Sequence, residues 1–343
     1  MKVLSLGFLG GGINSIAGPV HFIASQMDRK FEVVGGIFSK DKEKSKLSAK
    51  KYQVKNFNSI EEMAKEVDVI VILTPTPEHF NNIMEIKKHN VKIVVDKPIV
   101  ATSKEAKKIR NFAKEIIVTH NYSGYPLVRE IRALVKENIL GEIKKIKINM
   151  PQESFLKPLK PGYPQEWRRK DLEIPTIALD LGVHTYHLAR FILNENFKPF
   201  FCEKNKFSKL NVIDDCIVLA KSKNTLIELS FSKISLGNTN PLFIEVYGER
   251  AAIKWSQDDF ENLYISYFDG KKEIINRSNA KFEASKKRYQ RMAPGHPSGF
   301  IEAFANLYCD IYDKLNGKES EFVSDGIESI ESIMFFKEAI YGN

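Results

Sequence analysis

The sequence predicts an α/β protein with two domains, a doubly wound parallel sheet over residues 1–122 and an α+β domain over residues 123–343. The length of 343 residues is about twice the ~150 residues of a common domain. In the first third of the chain, short apolar runs alternate with amphipathic segments, as in successive βαβ units. Further along, strand-like runs separated by short turns indicate an antiparallel sheet.

The strands predicted in the first domain are apolar runs that end at glycine, proline or polar residues. Residues 67–75 (VDVIVILTP) have the continuous apolar character of a strand buried on both faces. The predicted strands are 3–10, 31–38, 67–75, 91–98 and 116–121. Helical spacing or a capping signal, such as Ser59 followed by Glu62, marks the segments between them. The predicted helices are 19–27, 40–51, 59–66, 79–90 and 103–115.

The second domain is predicted from a different order of elements. A helix at 125–138, a strand at 143–150 and a Pro- and Gly-rich stretch at 151–175 precede a helix at 178–193. Runs of alternating character then predict strands at 217–222, 225–232, 242–248, 251–255 and 263–268. Helices at 298–315 and 325–341 close the chain. No repeat or low-complexity tract separates the two domains.

Composition and charge exclude several classes of protein. With 43% hydrophobic and 28% charged residues, the chain is typical of globular proteins, and no run reaches the ~18 apolar residues of a membrane span. The net charge of +9 raises the question of nucleic-acid binding. Residues 40–51 and 281–291 each have a net charge of +4, so the excess is local. We therefore expect neither a nucleic-acid nor a membrane partner.

Three cysteines, Cys202, Cys216 and Cys309, lack the paired spacing of a disulfide framework or a zinc ribbon. This cysteine usage predicts a cytoplasmic protein. The apolar N-terminus could be a signal peptide, but three consecutive glycines interrupt its apolar run.

A glycine-rich turn follows the first predicted strand. Gly10 and Gly12 match the first two positions of G-x-G-x-x-G, and the third falls on Ser15, or on Gly18 if the loop is three residues longer. Glycines allow the tight turn and bring backbone N–H groups close to a pyrophosphate. The position predicts a dinucleotide site, and a plain glycine-rich loop is the alternative.

The second predicted strand ends without the carboxylate that binds the ribose hydroxyls of NAD. The chain continues instead as Phe38-Ser39-Lys40. A hydroxyl beside lysines suits a 2′-phosphate, so NADP is favoured over NAD. The alternative is that these lysines form only the solvated face of a helix.

Asp96 and Lys97 stand where the predicted strand 91–98 ends, at the edge of the sheet where ligands bind in such folds. A lysine at this edge can donate a hydrogen bond to a substrate hydroxyl and exchange a proton with it. The alternative is a solvated lysine held near Asp96.

Asp180, His184 and His187 share one face of a predicted helix at spacings of four and seven residues. His184 could act as a base with Asp180 fixing its tautomer, all three could bind a metal, or His184 could be a core histidine with satisfied hydrogen bonds. The sequence lacks nearby Cys or His partners for a metal, so no metal site is predicted.

In this order and at these separations, the motifs resemble the Gfo/Idh/MocA family, the relatives of glucose–fructose oxidoreductase and inositol dehydrogenase. The resemblance rests on the glycine turn, Thr74–His79 (TPTPEH), Asp96-Lys97-Pro98 and the helix with Asp180, Gly182 and His184. It implies an N-terminal Rossmann domain and a C-terminal domain with an open, mostly antiparallel sheet. It also implies NAD(P)-dependent hydride transfer at a hydroxyl or carbonyl carbon of a sugar, nucleotide sugar or cyclitol.

The resemblance further implies roles for individual residues. Lys97, His184 and Asp180 form the expected catalytic set. The expected cofactor contacts are Gly10, Gly12, Ile13, Asn14, Thr74, Pro75, His79 and Asp96, together with Ser39 and Lys40. Substrate contacts are expected from Tyr122, Trp167, Arg168 and His187. A homo-oligomer, a dimer or tetramer assembled through the open sheet, is also expected.

Three departures from the family pattern are visible. Asp96 stands where glutamate is more usual, His187 stands where many members have a second aspartate, and the glycine loop is longer. The rival prediction is a dinucleotide-binding regulator or scaffold without catalysis, because a fold does not determine function. The retained Lys97, Asp180 and His184 favour the enzyme.

Overall fold

The computed structural model describes residues 2–158 and 164–342 and divides into two compact units. The first unit combines Met1–Gly124 with Phe300–Ile330, and the second combines Tyr125–Gly299 with Glu331–Asn343. The expected division near residue 122 differs from this arrangement, because Phe300–Ile330 returns to the first unit. Buried side chains of this segment, such as Tyr308, belong to the same hydrophobic core as Phe31 and explain its return.

The strands, in chain order, are β1 (Leu4–Gly10), β2 (Phe31–Ile37), β3 (Lys55–Asn56), β4 (Val69–Leu73), β5 (Lys92–Asp96), β6 (Ile117–Thr119), β7 (Ile143–Pro151), β8 (Lys198–Asn205), β9 (Asp215–Ser222), β10 (Thr225–Ser232), β11 (Phe243–Gly248), β12 (Ala251–Ser256), β13 (Leu263–Tyr267), β14 (Lys272–Ile275) and β15 (Ser324–Asp325). The α-helices are α1 (Ala17–Gln26), α2 (Lys42–Tyr52), α3 (Ile60–Ala64), α4 (His79–Ile86), α5 (Ser103–Ile109), α6 (Pro126–Lys136), α7 (Val183–Leu193), α8 (Phe300–Leu315) and α9 (Gly326–Tyr341).

The first unit contains the predicted doubly wound sheet. Among the described residues its strand order is β15-β6-β5-β4-β1-β2-β3. Neighbours from β6 to β3 run parallel, and β15 pairs antiparallel with β6 at the edge. The central strands are apolar throughout because helices cover both faces, and all five residues of Val69–Leu73 are buried. The Rossmann prediction is confirmed.

The second unit contains the predicted open sheet. Its order among the described residues is β14-β13-β12-β11-β7-β10-β9-β8, antiparallel except between β7 and β10. Along β7, Ile146 and Ile148 are fully buried, whereas Lys145 and Lys147 lie on the other face and are partly exposed. Helices cover one face of the sheet, and the other is open. This part of the prediction is also confirmed.

Several short or edge elements were not predicted, namely β3, β8, β14 and β15. Strand β8 is an edge strand that contains Pro199 and three charged residues, so it lacks the apolar alternation of an inner strand. Helix α1 begins at Ala17, two residues before the expected Pro19.

Two buried charges hold the basic segment 281–291 in place. Glu130 of α6 is fully buried, and its carboxylate accepts backbone N–H bonds from all four residues of 281–284 at 2.6 to 3.1 Å. Arg277 is 2% exposed and donates to the carbonyls of Tyr289, Met292 and His296. The segment therefore has a structural role in the fold of the second unit. No helix among residues 2–158 and 164–342 combines the length and the apolar character needed to cross a bilayer.

Candidate active site

The glycine turn after β1 has a backbone that only glycine adopts readily. Gly10 and Gly11 have φ angles of +89° and +68°. A Cβ on Gly10 would lie 2.6 Å from the backbone of Leu73 and Thr74, and one on Gly12 would lie 3.0 Å from the carbonyl oxygen of Phe38. The turn therefore passes so close to the ends of β4 and β2 that a side chain would collide with the protein there, and glycines in such a turn let the backbone approach a pyrophosphate.

Gly18 takes the third position of the glycine pattern. A Cβ on Gly18 would lie 1.9 Å from the carbonyl oxygen of Gly11, so α1 packs directly on the turn. Ser15, the alternative, accepts a hydrogen bond from the Gly18 N–H at 3.1 Å. The Ile13 N–H donates to the Ser48 hydroxyl at 3.3 Å, and Asn14 is exposed. The residues of this turn fit a dinucleotide.

The end of β2 presents no carboxylate at residues 38–40. The Ser39 hydroxyl accepts a hydrogen bond from the Asp41 N–H at 3.2 Å, and Lys40 Nζ lies 2.8 Å from a carboxylate oxygen of Glu78. Asp41 caps α2, and the Lys44 N–H that donates to its carboxylate holds the pKa of Asp41 below its usual range. The nearest acid along the chain, Asp41, is therefore engaged by a helix N-terminus, and the carboxylate of Glu78 is paired with Lys40.

His79 connects the loop after β4 with the residues after β5. Its ring is 1% exposed, with Nε2 2.8 Å from the carbonyl oxygen of Thr74 and Nδ1 2.8 Å from that of Pro98. Burial lowers the pKa of His79, while the two carbonyl groups oppose this shift. Pro75 is exposed beside this connection. His79 thus connects the backbone after β4 with the backbone that follows Lys97.

Asp96, which precedes Lys97, belongs to a chain of polar side chains. Its Oδ1 accepts a hydrogen bond from the Thr119 hydroxyl at 2.9 Å and lies 3.9 Å from Nε2 of His21. His21 Nδ1 lies 2.8 Å from the Tyr308 hydroxyl. Burial lowers the pKa of His21 and raises the pKa of Tyr308. Sequence reasoning missed His21 and Tyr308, which are 287 residues apart.

In the second unit, Asp180 lies in a turn of π-helix, Ala178–Gly182, that leads into α7. The prediction of one continuous α-helix over 178–193 is therefore corrected: the α-helix begins at Val183, after the π-helical turn. Asp180 is 8% exposed, and both of its carboxylate oxygens contact a cation. Lys233 Nζ lies 2.6 Å from Oδ2, and Arg168 Nη2 lies 3.1 Å from Oδ1. These two partners hold the carboxylate in one orientation.

His184 and His187 lie on α7 and are 6% and 3% exposed. The His187 ring is 5.8 Å from that of Phe191. Metal binding by Asp180 and the two histidines was one interpretation of their spacing. Within the described ranges, no three His, Cys, Asp or Glu side chains are placed so that they could hold a metal ion.

The expected substrate-contact residues lie in different settings. Trp167 and Arg168 occupy a short 3-10 helix, with the guanidinium 4.8 Å from the Trp167 ring. Tyr122 belongs to the first unit and is 3% exposed, with its ring 6.4 Å from that of Phe300. Little of the Tyr122 surface is available to a sugar.

Sequence reasoning missed Lys233 and Gln152. Lys233 Nζ donates to the Gln152 amide oxygen at 3.3 Å as well as to Asp180. Both residues directly follow the ends of the parallel neighbours β10 and β7, where Ser232 pairs with Pro151. The sequence signal was a lysine directly after an apolar strand. It could not be interpreted because the parallel pairing of β10 with β7, which brings Lys233 close to Gln152, was not predicted.

Each unit has its own set of candidate site residues. The first provides a dinucleotide turn and a lysine at the end of β5. The second provides a buried carboxylate with its cations and two buried histidines. A lysine and an imidazole are side chains that can take or return a hydroxyl proton.

Comparison with known proteins gives a consistent result. A model described as an oxidoreductase family with an NAD-binding Rossmann fold matches residues 4–133, and a GFO/IDH/MocA C-terminal domain matches residues 128–254. An uncharacterized oxidoreductase of Bacillus subtilis, YfiI, is 24% identical over 93% of this chain and 87% of its own. Glucose-6-phosphate 3-dehydrogenase of the same organism is 22% identical over 73% of each chain. The fold also matches that of an inositol dehydrogenase homolog from Azotobacter vinelandii, solved with NADH and myo-inositol, at a TM-score of 0.88, 20% identity, and coverage of 99% and 95%.

Proposed function

The chain belongs to the Gfo/Idh/MocA family of NAD-binding oxidoreductases, and we propose that it is a dehydrogenase acting on a CH–OH group of a sugar, nucleotide sugar or cyclitol. The observation that supports this most directly is the buried set of Asp180 and His184 in a chain whose first unit has a dinucleotide turn and Lys97. The names of the relatives mention glucose 6-phosphate and myo-inositol, which are hydroxylated rings of this kind.

In the proposed reaction, the bound dinucleotide supplies the acceptor or donor of a hydride. The turn at Gly10, Gly12 and Gly18 would hold its pyrophosphate. Lys97 or His184 takes the substrate hydroxyl proton during oxidation and returns it during reduction. Asp180, whose carboxylate contacts Lys233 and Arg168, orients His184.

We propose NADP in preference to NAD as the cofactor. The support is the sequence after β2, where Ser39 and Lys40 stand and Asp41 is engaged in capping α2. A ribose diol has no carboxylate partner at residues 38–40, whereas a 2′-phosphate has a hydroxyl and a cation.

The protein is further proposed to be a cytoplasmic homo-oligomer, a dimer or tetramer that assembles through the open face of the second sheet. Apolar side chains on that face, Ile217, Tyr264 and Ile274, are 40–52% exposed. Charged residues between them form the pairs Lys145–Glu228 and Lys254–Glu245. The support for a reducing compartment is the cysteine usage, three residues without the paired spacing of a disulfide framework.

Substitution of the two candidate proton carriers tests the proposed function. Lys97→Met and His184→Ala should each lower kcat by about a hundredfold or more, because general acid–base groups contribute about 10²–10⁴ in rate. Cofactor binding, measured by calorimetry, should remain. Turnover is followed by the absorbance of reduced nicotinamide with a panel of sugars and polyols.

Lys92→Met, an exposed lysine at the other end of β5, is the matched control and should retain full activity. Full activity in both the Lys97 and His184 variants would refute the proposed roles. Cofactor binding without turnover of any compound by the unmodified protein would favour the scaffold instead.

A further inference from the structure

Two of the three cysteines lie side by side on neighbouring strands of the second sheet. Cys202 belongs to β8 and Cys216 to β9, and their Sγ atoms are 3.6 Å apart. Cys202 lies opposite Val218 and Cys216 lies opposite Lys204, so the two cysteines form a diagonal pair on one face of the sheet. Fourteen positions separate them along the chain, and this spacing alone does not indicate a pair.

The position of the pair at the edge of the sheet leaves room for a bond to form. Cys216 is 1% exposed, whereas Cys202 is half-buried and can meet a small solute. In the described part of the chain, β8 pairs with β9 alone. A disulfide bond is about 2.0 Å long, so the two sulfur atoms must approach each other by about 1.6 Å. An edge strand can make such a shift without breaking a second ladder of hydrogen bonds.

The two thiols also differ in their ionisation. The hydrogen bond with Cys216 lowers the pKa of Cys202, and the ammonium group of Lys204 lowers it further, while burial and Glu203 oppose this shift. The same hydrogen bond, together with burial, raises the pKa of Cys216. Because the thiolate and not the thiol attacks an oxidant, Cys202 is the residue that should react first.

The third cysteine, Cys309, has a different environment. It belongs to the first unit, and its thiol donates a hydrogen bond to Asp28 Oδ2 at 3.0 Å. A carboxylate beside a thiol disfavours the thiolate form. Cys309 therefore serves as an internal control for the reactivity of the pair.

We propose that Cys202 and Cys216 form a reversible disulfide when the protein meets hydrogen peroxide, so that the edge of the second sheet is a site of redox modification. The inference goes beyond the proposed hydride transfer and does not depend on it. Disulfides in reducing compartments are usually transient and often sense oxidants.

The reaction has two steps. The Cys202 thiolate attacks one oxygen of the peroxide and the O–O bond breaks, which leaves a sulfenic acid on Cys202, while the other oxygen takes the proton lost by the thiol and leaves as water. The Cys216 sulfur then attacks the Cys202 sulfur, the S–O bond breaks, and the proton of Cys216 leaves with that oxygen as a second water. The two thiols lose two electrons in total, and one peroxide is reduced to two waters. A thiol reductant reverses the bond by exchange.

Thiol labelling of the reduced, full-length protein tests the proposal. The protein is treated with a small excess of hydrogen peroxide, quenched with catalase, and unfolded in guanidinium chloride that contains N-ethylmaleimide. Mass spectrometry should find three labels before oxidation and one after it, together with a linked pair of tryptic peptides that contain Cys202 and Cys216. Dithiothreitol should restore all three labels.

Single serine variants assign the two steps. Neither Cys202→Ser nor Cys216→Ser should give the linked peptides. In Cys216→Ser, dimedone should instead trap a sulfenic acid on Cys202, because the second step lacks its thiol. Cys309→Ser is the matched control and should form the disulfide at the unmodified rate. In the unmodified protein, Cys202 should lose its label at least about tenfold faster than Cys309.

Three labels after oxidation would overturn the proposal, as would loss of the Cys202 label without a linked pair of peptides. Linkage of Cys202 to Cys309, or to a second copy of the chain seen as a doubled mass without reductant, would also overturn it.

Discussion

Ser39 and Lys40, which follow Phe38 after the end of β2, are the residues that we propose to contact the adenosine end of a dinucleotide. Ser39→Asp should lower the ratio of kcat/KM for NADP over NAD by tenfold or more, because a carboxylate accepts the ribose hydroxyls and repels a 2′-phosphate. A tenfold change corresponds to about 1.4 kcal/mol. Steady-state kinetics with both cofactors measure the ratio.

Ser59→Asp is the matched control for this charge change. Ser59 is the exposed N-cap of α3, a position where aspartate serves equally well, so this variant adds the same charge to the same unit away from β2. An equal change of ratio in both variants would show that the effect is one of net charge and not of the Ser39 position.

Residues that lie within a sequence motif could be predicted, while their partners could not. Gly10, Lys97 and Asp180 stand in motifs with a fixed place in the fold. Lys233 lies 53 residues beyond Asp180, and Tyr308 lies 287 residues beyond His21. Such pairs depend on strand order and on the return of the chain, which a local pattern does not contain.

At the scale of elements, α6 and the segment 281–284 depend on one carboxylate. Glu130→Gln should lower the free energy of unfolding of the second unit by about 2–4 kcal/mol, because the amide nitrogen would face N–H groups that the carboxylate now satisfies. Urea unfolding at neutral pH measures the loss. Glu137→Gln, exposed at the end of the same helix, should change it by less than about 0.5 kcal/mol.

A similar loss of unfolding free energy in both variants would mean that any loss of a carboxylate from helix α6 destabilises the unit. The contact of Glu130 with the four N–H groups would then contribute little.

Elements with strong apolar patterns could be predicted nearly to the residue. Strand β10 has the predicted bounds 225–232, and α4 begins at the predicted residue, His79. The edge strand β8 and the π-helical turn at Ala178–Gly182 could not be predicted, because an edge strand needs no apolar alternation and a π-turn differs from an α-helix by one residue in its hydrogen bonding.

At the scale of the whole molecule, the open sheet face should join copies of the chain. Light scattering after gel filtration should give about two or four times the chain mass of 39.2 kDa. Ile217→Glu, in the exposed apolar part of that face, should shift the protein towards the single-chain mass. In a two-fold symmetric interface both copies carry the substitution, so two charges are placed in an apolar contact.

Leu236→Glu is the control, since Leu236 is 73% exposed in a loop outside the sheet. A single-chain mass for the unmodified protein at micromolar concentration would contradict the proposed assembly.

The division into two units could be predicted from the order of strands and helices along the chain. The unit to which the last helices belong could not be predicted in this way. Helix α8 has an apolar face that would suit either unit, and only its contacts, such as Tyr308 with Phe31, assign it to the first. The amphipathic pattern predicts that a helix packs, but it does not identify the sheet that it packs on.

That return of α8 has a consequence for biosynthesis. About 175 residues separate Gly124 from Phe300, and at 5–20 residues per second a ribosome needs roughly 10 to 35 s to add them. During this interval the nascent Rossmann sheet lacks the helix that covers Phe31 and His21. Its folding cannot be completed before Phe300–Leu315 has been synthesised, so we expect the N-terminal unit to depend on chaperones for longer than its position in the chain suggests.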